Sequence, residues 1–130
     1  MRFFQISVLV MTALILSACS KDKGAEQLNS IESRWDDAVS LAGSTPRIQL
    51  AVPVSKLQEL KNELNTLEVS DCLAPAKGKF NKYMDNHIQL FLGFMQDTDF
   101  EYSPKINEYK NENEKLIKEY FKIKSECTEQ

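Results

Sequence analysis

The sequence predicts an all-α chain folded as an up-and-down antiparallel four-helix bundle, with a proline kink in the second helix and one disulfide. Three observations carry that expectation. Apolar residues recur at three-and-four spacing in four segments of about 15 to 24 residues, which is the stripe of a helix packed on one side. Short breaks containing Gly, Pro, Ser or Asp separate the segments, so that successive helices become antiparallel neighbours. Two cysteines, Cys72 and Cys127, stand equally far from one of those breaks. No strand-like alternation of useful length and no internal repeat interrupts the pattern. A length of 130 residues suits a single domain.

The first helix follows from apolar residues at 28, 31, 35, 38, 39 and 42, with Trp35 in the core and Gly43 as its stop. Ser44-Thr45-Pro46 is a restart signal, in which the Thr45 hydroxyl caps the next helix and Pro46 occupies its first position. Apolar positions 50, 54, 57, 60, 64 and 67 continue the period, but Pro53 interrupts it, because a proline loses one hydrogen bond and clashes with the preceding turn. A kink at 49–53 is expected, or a short helix followed by a longer one. Val69 to Pro75 is turn chemistry with Asp71 as a candidate cap. The third helix carries the richest aromatic face, from Leu73 through Phe80, Tyr83, Met84 and His87 to Phe91, Phe94 and Met95. Asp97 to Asp99 breaks it. Ser103-Pro104 repeats the cap-then-proline signal, and the last helix bears Ile106, Tyr109, Leu116, Ile117, Tyr120, Phe121 and Ile123 on one side and mostly Lys, Glu and Asn on the other.

Cys72 lies 24 residues before Gln96, and Cys127 lies 24 residues after Ser103. At a rise of about 1.5 Å per residue, both stand about 36 Å from the connection between the third and fourth helices, so antiparallel packing brings them to the same end.

The N-terminus has a different character. Met1-Arg2 supplies one positive charge, and the apolar run Phe3–Leu16 is broken only by Gln5, Ser7 and Thr12. Fourteen residues fall short of the roughly 20 that span a bilayer as a helix, so the run is a signal-peptide core. It leads into Leu16-Ser17-Ala18-Cys19, which resembles the lipobox of bacterial lipoproteins. The resemblance covers residues 1–20 and implies diacylglycerol on the Cys19 thiol, removal of residues 1–18 and acylation of the new amino terminus. Each buried CH₂ contributes about 0.8 kcal/mol, and several acyl chains make such an anchor effectively permanent. Ser20, where the family's inner-membrane retention signal is Asp, implies the outer membrane.

Loss of residues 1–18 leaves 112 residues, with 15 basic against 19 acidic groups. Residues 19–25 then form a short lipidated tether, and 26–130 the helical domain. The exported compartment is oxidising and Cys19 is used by lipid, so Cys72 and Cys127 are expected to join in a disulfide. The stretch Trp35 to Cys72, with Ser44-Thr45-Pro46-Arg47 and Pro53-Val54, is similar to small helical lipoproteins of bacteria, a likeness that carries no activity with it.

A charge near balance excludes the dense basic field of a nucleic-acid binder. No enzyme motif presents itself: His87 is the single histidine, no nucleophile motif surrounds it, and Gly24, Gly43, Gly78 and Gly93 are too scattered for a phosphate loop. No cofactor is expected. Met84, His87 and Met95 have the ligand types that suit Cu(I), although Met at this spacing is ordinarily core filler. Asp36 and Asp37 diverge by about 100° and do not form a carboxylate pair. Arg47 is either a carboxylate-binding residue or the partner of a local acid. The Lys, Asn and Glu run from Lys105 to Glu119 reads as a solvated face, with a surface that lies against a partner helix as the alternative. The expected role is therefore a non-enzymatic interaction or accessory module, anchored at the outer membrane and facing the periplasm, that binds an envelope protein. The alternatives are a carrier whose Phe80, Phe91, Phe94 and Tyr120 line an apolar cavity, or a copper-binding protein using Met84 and His87.

Overall fold

The computed structural model describes residues 22–129. The leader 1–18, the lipidation site Cys19 and residues 20 and 21 of the tether lie outside the described residues. The described residues are all-α, with four helices: α1 (Ala25–Ser44), α2 (Ala51–Thr66), α3 (Ala74–Gln96) and α4 (Pro104–Thr128). Two 3₁₀ turns, Arg47–Gln49 and Thr98–Tyr102, join α1 to α2 and α3 to α4. Consecutive helices pack as neighbours, and α1 also approaches α3. Among the described residues there is no strand, and no helix is long and apolar enough to cross a membrane.

The helical stripes are what close the core. Leu28, Ile31 and Trp35 from α1 meet Val54, Leu57, Leu60 and Leu64 from α2, while α3 adds Ala76, Phe80, Met84 and Ile88, and α4 adds Tyr120. Phe80 stacks on Tyr120 at 4.8 Å between ring centroids. Alpha-helices 1 and 4 are bridged by side chains: Tyr120 Oη donates to Glu32 at 2.6 Å, and Lys124 Nζ reaches the same carboxylate oxygen at 2.5 Å. Tyr120 is thereby kept from ionising, because burial and the Glu32 charge both push its phenol up.

Several helix ends differ in detail from the sequence expectation. Thr45 does not cap the second helix; its hydroxyl donates back to the Leu41 carbonyl at 2.6 Å, and its own N–H bonds to Ala42, so it closes α1 one residue beyond Gly43. The chain around Pro53 takes the form of a short helix followed by a longer one. A 3₁₀ turn precedes Leu50, and Pro53 falls in the first turn of α2, where its missing N–H has no intrahelical acceptor to lose. Asp71 is not the cap of α3. The Ser70 carbonyl and hydroxyl accept from Leu73 N–H instead, and the helix starts at Ala74. Ser103 does cap α4, accepting from Lys105 N–H with Pro104 in the first turn.

The bundle has two distinct ends. At one, Cys72 and Cys127 are bonded, with their Cα atoms 5.8 Å apart. Asp22 lies beside them, its carboxylate within 4.8 Å of both sulfurs. Lys23 C=O accepts from Ser70 N–H at 3.0 Å and Lys23 Nζ pairs with Glu68 at 2.5 Å, so the first described residues are fastened at this end. The other end, formed by the two 3₁₀ turns, lies about 30 Å away along the 20 residues of α1.

Candidate functional site

The far end carries a groove of about 550 Å³ between the end of α1, the two 3₁₀ turns, α3 and the start of α4. Its apolar walls come from Leu50, Leu90, Phe91, Phe94, Phe100 and Ile106. Its titratable groups are Arg47, His87, Glu101 and Lys110, and Thr45 also lines it. Of the four aromatic residues expected to line a cavity, Phe91 and Phe94 do so. Phe80 and Tyr120 do not, because their stacked rings are taken up in the closed core.

Arg47 is placed by the turn that Pro46 starts. Its Nη2 donates to the Met95 carbonyl at 3.2 Å, and its guanidinium lies 5.6 Å from the centre of the Phe94 ring. The local acid that a helix-start arginine would be expected to find is not its partner. The contrast with Arg34 is direct, since that residue forks onto both carboxylate oxygens of Glu63 and holds the Glu63 carboxyl below its ordinary range.

His87 is fixed by a chain of amides that the sequence did not disclose. Asn86 Nδ2 donates to Glu112 at 2.8 Å and to Asn113 Oδ1 at 2.9 Å, and Asn113 Nδ2 faces His87 Nδ1 at 3.0 Å. A carboxylate only accepts, so Glu112 orients the Asn86 amide, Asn86 orients Asn113, and Asn113 presents a donor to the ring. Nδ1 is therefore the bare nitrogen and the proton sits on Nε2. The Tyr83 carbonyl, 3.2 Å from the same Nδ1, can accept only from a protonated ring nitrogen and so favours the charged form. Burial lowers the imidazole's pKa, against the opposing pull of the Tyr83 carbonyl and Asp36. Trp35 and Tyr83 both lie edge-on to the ring, at 6.1 and 4.5 Å between centroids.

The copper-type residues are not brought together as a ligand set. Met84 and His87 stand one turn apart on α3, but Met84 is wholly buried in the core and Nδ1 of His87 faces an amide donor. Cys72 and Cys127 are spent in their disulfide and offer no thiolate. Asp36 and Asp37 are exposed on α1.

A second feature of the far end is apolar surface turned to solvent. Leu41, Ile48, Val52 and Tyr102 are all exposed, Ile48 to 91% and Val52 to 79%. Leu41 sits in the last turn of α1, Ile48 in the first 3₁₀ turn, Val52 in the first turn of α2 and Tyr102 at the end of the second 3₁₀ turn. The ring of Phe100 seals the adjacent surface by lying directly on the backbone of α3 at Gly93, where any Cβ would overlap it.

No family model, no curated protein and no solved structure matched this chain.

Proposed function

We propose that the chain is a lipoprotein held through Cys19 at the periplasmic face of the outer membrane, and that it works without catalysis as an interaction or accessory module that grips an envelope protein with its far end. One observation supports the reading above the others. Of the five large hydrophobic residues exposed among the described residues, Leu41, Ile48, Val52 and Tyr102 stand at the end opposite the tether. Scattered apolar residues on a surface are ordinary, but their concentration at one end is the mark of an interface.

A photoreactive side chain at position 48 is expected to capture one envelope protein in living cells, whereas the same probe at Lys118, on the exposed side of α4, captures none. Adding Val52→Glu is expected to abolish capture at position 48 without lowering the melting temperature. Equal capture from positions 48 and 118 would count against the crest, and palmitate labelling that persisted in Cys19→Ala would count against the anchor. The groove favours a second reading, carriage of a small hydrophobic ligand, because its volume falls within the range of about 300 to 1,000 Å³ typical of ligand sites.

A further inference from the structure

Six ion pairs among the described residues engage Lys23, Arg34, Lys56, Lys61, Lys79 and Lys124. Neither of the groove's cations, Arg47 and Lys110, belongs to any of them. Arg47 uses one of its five N–H donors on the Met95 carbonyl, so the fork is anchored in place while most of its donors stay open. Glu101 is the groove's single acid, which leaves an excess of one positive charge over an apolar floor. His87 lines the groove as well, with its Nδ1 already engaged by Asn113. A guanidinium fork, one net positive charge and a wall of Leu50, Phe91, Phe94 and Ile106 are complementary to a molecule with one anionic head and one apolar tail.

We infer that the groove binds a single-tailed carboxylate, a fatty acid of medium chain length, with its head on Arg47 and Lys110 and its tail along α3. The inference rests on the carrier reading of the groove and names its ligand class; it does not depend on the apolar crest. The site stands at the end remote from the tether, so the acyl chains on Cys19 are not its natural occupants.

Gly43 makes the test clean. It lines the groove near the end of α1, and a Cβ there meets nothing within 4 Å, so Gly43→Leu adds a bulky apolar side chain at the groove's edge without a clash and replaces glycine with a better helix former. The purified protein is titrated with dodecanoate below its micelle concentration, with dodecanol and with dodecyl phosphate. The readouts are calorimetry and the emission of Trp35, the one tryptophan, whose ring stands 6.1 Å from His87. Dodecanoate is expected to bind at least about tenfold more tightly than dodecanol, as a charge-assisted contact to Arg47 requires. Arg47→Gln is expected to erase that difference, and Gly43→Leu to remove binding without lowering the melting temperature. Equal affinity for the alcohol, tighter binding of the phosphate, unchanged binding in Gly43→Leu, or no binding by the parent would each overturn the inference. Ile48→Glu is expected to leave dodecanoate binding intact, which separates failure of the groove from failure of the crest.

Discussion

Two glycines show how much is decided by a single Cβ. Gly24 has φ of 83°, a left-handed conformation that costs an L-residue about 1–2 kcal/mol, and a Cβ there would overlap the Glu68 carbonyl oxygen. Gly78 lies inside α3 with open space around it. Gly24→Ala is therefore expected to destabilise the protein by about 2 kcal/mol or more, and Gly78→Ala to stabilise it by up to about 1 kcal/mol in urea denaturation. A parent-like midpoint for Gly24→Ala would refute the tight tether turn. His87 gives a prediction in pH. The unfolded imidazole titrates near 6.5, and burial lowers the folded value. Between the two the unfolded chain holds more protons, so stability rises with pH: the benefit of the neutral ring is complete above about 6.5 and drains away as pH falls toward the folded value. Melting temperature is expected to drop between pH 7.5 and 5.5, and less steeply in His87→Gln. Comparison with that variant separates the ring from Asp36, whose carboxyl is pushed up by burial and by Glu32.

At the scale of elements, the disulfide is where sequence and structure met most directly. Equal spacing of Cys72 and Cys127 from the third connection reduced a tertiary contact to a count along two helices, and the cysteines are bonded across a separation of 55. Closing a loop of that length constrains the unfolded chain by about 4 kcal/mol in the chain-entropy model. Cys72→Ser with Cys127→Ser is expected to lose about that much in denaturant unfolding, and a loss below about 1 kcal/mol would show that the bridge merely decorates ends already held by packing. The Trp35 and Ser103-Pro104 readings succeeded for the same reason, since periodicity and capping are local. The polar chain was not legible. Asn113 stands in a run of Lys, Asn and Glu that looks uniformly solvated, and only the amide of Asn86 on the facing helix makes it a buried residue. Nor was most of the groove. Phe100, Glu101 and Lys110 come from a segment read as a break and a face read as solvated, and α1, both 3₁₀ turns, α3 and α4 must converge before the groove exists. Thr45 misled because the same hydroxyl serves equally well to close one helix or open the next, and the geometry of the turn decides.

At the scale of the whole molecule, the bundle is polarised. One end is fastened by the disulfide, the Lys23–Glu68 pair and the turn at Gly24, whereas the far end gathers the open groove and the exposed apolar residues Leu41, Ile48, Val52 and Tyr102. If Cys19 carries lipid as proposed, the three residues 19–21 ahead of the fastened segment reach about 10 Å at full extension, and the disulfide end would stay close to the bilayer. The 20 residues of α1 then carry Ile48 about 30 Å farther from it, provided the bundle stands upright. Energy transfer from a fluorophore built in at position 48, and separately at the exposed Glu126, to a headgroup dye in vesicles measures this difference. Transfer is expected to be much stronger from 126 than from 48. Equal transfer would mean that the bundle lies along the membrane, and the crest would then face lipid in place of a protein partner. Inserting about twenty flexible residues after Lys21 is expected to weaken transfer from 126 and narrow the gap, because under the proposed anchoring the orientation would come from the shortness of the tether and not from an affinity of the helices for lipid.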